Sequence, residues 1–210
     1  MLLISSVSSS IIQDIEAICE AGKASMVYFY FDFRDANKQH LNDLISSLVT
    51  QLSAHSDARS DVLSRLYLAH DSGRRQPGDT VLVQCLKEML ALPDQSPVYI
   101  ILDALDESPG SSGIPTPREQ VLQLVKDLVG LGPPNFHVCV TSRPEADIRH
   151  LIEPLTSLRV CLHEQSGQKK DIAEYVRSVV YSDSEPTMRR WRTEDKEVVI
   201  KTLAQRADGM

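Results

Sequence analysis

The chain has 210 residues, 42% of them apolar and 24% charged, with a formal net charge of −7. That length and composition suit a globular α/β domain with a sizeable core, and the acidic balance argues against a general basic footprint for nucleic acid. No apolar stretch reaches the roughly 18 residues of a membrane span. Met1-Leu2-Leu3-Ile4 lacks the basic n-region and the length of a signal peptide, so the cytoplasm is the expected compartment. Arg74-Arg75, Lys169-Lys170 and Arg189-Arg190 are isolated pairs and read as solvated faces. The cysteines (Cys19, Cys85, Cys139, Cys161) are far apart and sit in or beside apolar patterns, as buried reduced thiols do. None of the six histidines is paired at metal-ligand spacing, so no zinc site is expected.

In chain order, Ile11, Ile12, Ile15 and Ile18 predict a helix over 11–21, with Gly22 as its stop. Met26 to Phe33 is aromatic and β-branched and reads as a strand. Leu41, Leu44, Ile45, Leu48, Val49 and Leu52 mark an amphipathic helix. Val62, Leu63, Leu66 and Ala69 mark a second, with Asp57 or Ser60 as its cap. After a loop over 71–78, Leu82, Cys85, Leu86 and Met89 mark a third, ending by Pro93. A strand follows over 97–103, then a small-residue loop over 108–116. Thr116-Pro117-Arg118-Glu119 combines an N-cap, Pro at the first helical position and a capping box, and Val121, Leu124, Val125 and Leu128 supply the buried stripe behind it. Gly130 and Gly132-Pro133-Pro134 end that helix, and Phe136 to Thr141 is another buried strand. Pro144 is placed to open the next helix. Leu158 to Leu162 reads as a last short strand. Ile172, Tyr175, Val176 and Val179 mark a helix, and a polar linker over 182–187 leads to a final one over about 194–206. Alternation of strand and helix implies right-handed crossovers and a doubly wound, mostly parallel sheet.

The chemistry concentrates in Val98-Tyr99-Ile100-Ile101-Leu102-Asp103-Ala104-Leu105-Asp106-Glu107. A continuous apolar run reads as a strand buried on both faces, and open α/β sheets place ligands just beyond the ends of such strands. Asp103 there can hold Mg²⁺, and a second acid can orient an attacking water. The plainer alternative is a solvated turn with an Asp cap. Yet carboxylates crowded at one strand end repel each other unless something cationic compensates. Arg143, after the strand ending at Thr141, falls on the same sheet edge and can stabilise charge on a phosphoryl group, or serve only as a structural partner of a nearby carboxylate.

These residues resemble a known family. VYIILDALDE, followed about thirty residues later by HVCVTSRPE, resembles the Walker B and sensor 1 pair of NACHT-type NTPases of the STAND group. YFYFDFRD after a first helix, a two-helix insert before the Walker B segment, DIAEYV over 171–176 and LAQRADGM over 203–210 extend the likeness to nearly the whole chain. It is nearest to the NACHT module of large fungal receptor-like proteins and to the nephrocystin-3 N-terminal region. The resemblance implies a P-loop NTPase fold of ASCE/STAND type, with a truncated NTPase core over 1–165 and the start of a helical extension over 166–210. It implies ATP or ADP with Mg²⁺ as cofactor, Asp103 as the magnesium-linked residue, Asp106 and Glu107 beside the attacking water, and Arg143 as γ-phosphate sensor. It further implies a signalling switch that works beside effector and repeat domains of a longer protein and can oligomerise; the acidic charge and the short apolar runs add the expectation of no nucleic acid and no membrane span.

One departure is large. The phosphate loop G-x-x-x-x-G-K-[ST] is absent, and so is the strand that feeds it. Aligning Ser8 to Ile15 with the family's first helix puts Leu3 and Ile4 where Gly and Lys belong. Gly22-Lys23 precedes a strand and is followed by Ala24, and it reads as a helix C-cap. Nucleotide binding by these residues is therefore expected to be millimolar or undetectable, and the alternative is a non-catalytic scaffold or interaction remnant of the same fold. A receiver-like domain with Asp103 as phospho-acceptor and Thr141 or Ser142 as switch would need a Lys after the last strand, where Leu162-His163-Glu164 offers none.

Overall fold

The computed structural model describes residues 2–93, 96–111, 113–131, 136–160, 168–182 and 191–206, with 2–10, 168–172 and 205–206 described as backbone. Expectations that fall on 132–135, 161–167, 183–190 and 207–210 lie outside the described residues, the Cys161 thiol among them. The chain divides into two compact units, 1–156 and 157–210.

The first unit is built on three parallel strands in the order β1 (Ser25–Tyr30), β2 (Val98–Asp103) and β3 (Phe136–Val140). The register pairs Ser25 with Val98 and Tyr30 with Asp103, then Val98 with Phe136 and Leu102 with Val140, so the C-terminal ends of all three strands share one edge. Ile100, Ile101 and Leu102 are 0–1% exposed. This double burial of the central strand is why its sequence is an unbroken apolar run and not an alternating one.

One face of the sheet carries α1 (Leu2–Glu20), whose Ile12 and Ile15 pack on Ile101 with Met26, Tyr99 and Cys139 around them. The helix starts earlier than its apolar spacing indicates. It stops at Gly22, whose φ of +69° suits the residue without a Cβ. The amides of Gly22 and Lys23 donate to the Cys19 and Ile18 carbonyls at 2.8 and 3.2 Å, closing a Schellman-type end.

The opposite face carries α2 (Leu41–Ser53), α3 (Asp57–Ala69), α4 (Asp79–Leu90), α5 (Pro117–Gly130) and α6 (Ala146–Ile152). Leu44, Leu48, Leu86, Met89, Val121 and Val125 from these helices close over Val27, Phe29, Ile100 and Leu102 in the main core. Both crossovers, β1 to β2 and β2 to β3, run over this face, and α1 alone among these helices covers the other. The α/β class and the parallel sheet are as expected, with helices on both faces.

Three local expectations are corrected. The cap of α3 is Ser56, which accepts from the Arg59 amide, and neither Asp57 nor Ser60. Glu145, not Pro144, stands at the N-cap of α6. The strand at Met26–Phe33 ends at Tyr30, because Asp32 and Asp35 accept from the Arg34 and Asn37 amides at 2.9 and 3.0 Å and turn the chain out of the ladder. The Thr116–Glu119 capping box is present as expected.

The outer edge of β1 is closed by a side chain. Gln51 on α2 donates Nε2 to the Tyr28 carbonyl at 2.8 Å and accepts from the Tyr28 amide at 3.0 Å, taking the place of one residue of a neighbouring strand. The outer edge of β3 pairs with no described strand. In the second unit, 158–160 lies outside any ladder, with Leu158 and Val160 well exposed, so the described part of the strand expected at 158–162 is not one. There α7 (Gln168–Val180) and α8 (Thr193–Arg206) pack as a pair. Arg177 forks onto Glu197 at 2.8 and 2.9 Å, and Tyr181 donates to the same carboxylate. No helix among the described residues is long and apolar enough to cross a membrane.

Candidate functional site

The chain leaves β2 through Ala104, a non-glycine residue at φ 55°, ψ 45°. That left-handed residue costs backbone energy. It also breaks the strand sharply, so that a short 3₁₀ turn, Leu105–Glu107, projects from the sheet edge. The turn is held by the residue just after β3. Thr141 accepts from the Ala104 amide at 3.1 Å through its hydroxyl, accepts from the Leu105 amide at 3.0 Å through its carbonyl, and donates its hydroxyl to Asp103 at 2.5 Å.

Each of the three carboxylates is met by a different residue, two of them from the segment after β3 and one from the loop after β1. Asp103, 3% exposed, is bonded by Thr141. Asp106, its side chain 8% exposed, accepts the Arg143 backbone amide at 2.9 Å and faces the Arg143 Nε at 3.4 Å. Glu107 accepts the Phe33 amide, from the loop after β1, at 3.2 Å. The Asp103 charge is felt across the sheet. Burial first, and the Asp103 charge second, push the Tyr30 phenol and the Cys139 thiol above their ordinary values.

Beneath the turn lies Arg118, the second residue of α5. Its Nη2 donates to the Asp106 carbonyl at 2.6 Å and its Nε to the Ser108 carbonyl at 3.0 Å, while Nη1 pairs with Asp147 of α6 at 3.2 Å. Ser108, fully buried, donates to the Gln39 carbonyl at 2.9 Å, and Gln39 donates to the Phe33 carbonyl at 2.7 Å. A polar ring thus binds the loop after β1 to the turn after β2. A cleft of about 330 Å³ opens above it, lined by Phe33, Gln39, Asp106, Glu107, Ser108, Pro109, Arg118 and Arg143.

The structure therefore brings Asp106, Glu107 and Arg143 into one cleft and sets Asp103 beside them, under Thr141. Among the described residues no three His, Cys, Asp or Glu side chains converge as a metal-holding group. An oxygen-only set with one carboxylate at a strand end fits Mg²⁺ that arrives with a phosphate and keeps waters, and does not fit a protein cage. The phosphate side fits less well. Leu3 and Ile4, which the alignment puts in the place of Gly and Lys, are within α1. Arg118, Gln39 and Ser108 escape a reading of the sequence because each acts through backbone carbonyls of a distant loop. The only local hint is that Arg118 follows the Pro of a capping box, where side chains can turn back past the helix start.

A family model described as nephrocystin 3, N-terminal, matches residues 5–143, a span that includes β1, β2, β3 and all four of these site residues. No curated protein and no solved structure gives a match.

Proposed function

The chain belongs to the nephrocystin 3, N-terminal family, and from that premise we propose that its sheet edge is the magnesium-and-water side of a NACHT-type nucleotide switch. The observation behind this reading is the convergence of Asp106, Glu107 and Arg143 in one cleft, with Asp103 at the end of the doubly buried strand beside it. In this reading Asp103 would hold a nucleotide-bound Mg²⁺, Asp106 and Glu107 would be the acids that orient an attacking water, and Arg143 would supply positive charge to the terminal phosphate. Bound Mg²⁺ supplies charge neutralisation on the phosphates. The residues of this chain supply position: Thr141 orients Asp103, and Arg118 fixes the turn that bears the other two acids.

These residues alone are a poor nucleotide site. The sequence has no G-x-x-x-x-G-K-[ST], and each acid already has a protein partner, so nucleotide must displace bonds that exist. The switch, its effector and its repeat partners belong to a longer protein in this account, and the piece described works as an α/β scaffold with a latent acid end. Calorimetric titration with Mg-ATP tests it. The expected dissociation constant is about 1 mM or weaker, on the order of −4 kcal/mol, and Asp103→Asn weakens it further. Micromolar affinity indifferent to Asp103→Asn contradicts the assignment.

A further inference from the structure

At the other end of the strands, Arg59 is 1% exposed although it lies on the first turn of α3, between exposed Asp57, Ala58 and Ser60. Its Nη1 donates to the hydroxyl of Ser25, the first residue of β1, at 3.1 Å. Its Nε and Nη2 are buried and have no hydrogen-bond partner among the described residues. No carboxylate among the described residues pairs with it. Asp57 and Asp61, two positions away on either side, point from other faces of the helix. Burial lowers its pKa, but a guanidinium stays charged at any working pH.

We propose that Arg59 is the cationic half of a small oxyanion site at the N-terminal edge of the sheet. The two free nitrogens are not an arbitrary pair. Nε and Nη2 form the edge of a guanidinium that engages carboxylate or phosphate with two parallel hydrogen bonds. Ser25 holds the third nitrogen and so fixes that edge in one direction. Water can satisfy the two N–H groups but not the buried charge, which calls for a counter-charge. The ligand class is an anion presenting two coplanar oxygens, from free inorganic phosphate or from a carboxylate. Asp103 and Arg143 belong to the opposite edge, and nothing in this site depends on nucleotide.

The test is thermal unfolding of the whole chain in sodium phosphate, sodium formate and sodium chloride at matched ionic strength, for the native protein and for Arg59→Met and Arg59→Lys. An oxyanion at ten times its dissociation constant raises the native Tm by about 3–6 °C above chloride. The phosphate and formate arms identify the source. Arg59→Met loses the increment, and Arg59→Lys, a point charge without the fork, keeps less than half. If Arg59→Met does not fold, the Arg59 Nε–H resonance of the native chain decides: it moves on titration with phosphate or formate and stays put in chloride. Equal increments in native and Arg59→Met, chloride as effective as the oxyanions, or an Nε–H resonance indifferent to all three overturns the site.

Discussion

The two edges of the sheet differ in how their charges are satisfied. At the C-terminal edge three carboxylates crowd within a few residues, and each is answered by a group from a neighbouring strand end or loop: the Thr141 hydroxyl, the Arg143 amide and guanidinium, the Phe33 amide. At the N-terminal edge one guanidinium is buried with, among the described residues, a single hydroxyl partner and two idle nitrogens. The first edge holds its geometry without a ligand, and a ligand must compete to enter. The second has no counter-charge among the described residues, and in the proposed site a ligand supplies it. A cluster of like charges is thus no measure of how much an edge needs an ion. The count of partners already in place is.

Perturbations that strike one edge and not the other sharpen this contrast. The largest effect comes from the strand that joins them. Ile100→Ala leaves a cavity in the main core and costs about 2–5 kcal/mol, read as a lower urea midpoint with unchanged slope, and it weakens both edges alike. Arg118→Met confines damage to the acid edge. It leaves the Asp106 and Ser108 carbonyls without their donors at a cost of about 2–3 kcal/mol. Hydrogen exchange at the Phe33 and Arg143 amides, which donate to Glu107 and Asp106, quickens well beyond that of the β2 amides. Uniform acceleration everywhere would mean that Arg118 only stabilises the fold.

Arg143→Ala is milder, because the guanidinium is more than half exposed. It costs at most about 1 kcal/mol, and the loss shrinks in high salt. The smallest effect is electrostatic. Burial raises the Cys139 pKa most and the Asp103 charge adds to it, so Asp103→Asn lowers it, enlarges the thiolate fraction at a fixed pH between neutral and the thiol pKa, and modestly speeds alkylation of Cys139. Alkylation that slows instead would contradict this coupling across the sheet.

The acid edge was far more legible in the sequence than the Arg59 edge, for physical reasons. Double burial forces a continuous apolar run, so β2 and the acids after it stand out in VYIILDALDE. Local chemistry writes Gly22 and the Thr116 capping box into adjacent residues. Arg143 was readable because parallel strands bring their ends to one edge. Gln51, Arg118 and Arg59 were not readable, because each is a long polar side chain on a helix, where it counts as solvated surface, and each acts across a gap in sequence that only the packed sheet closes. Leu158–Val160 misled because a short apolar run makes a strand only beside a partner, and among the described residues these three lie in no ladder.

Amide chemical shifts of the isotopically labelled chain, followed during titration with Mg-ATP, test the central claim most directly. The account predicts magnesium-dependent shifts centred on Thr141, Arg143, Glu107 and Phe33, still unsaturated at about 1 mM nucleotide, the scale at which binding is worth only about 4 kcal/mol. Saturation at micromolar nucleotide, or shifts that leave those four amides unmoved, would contradict it.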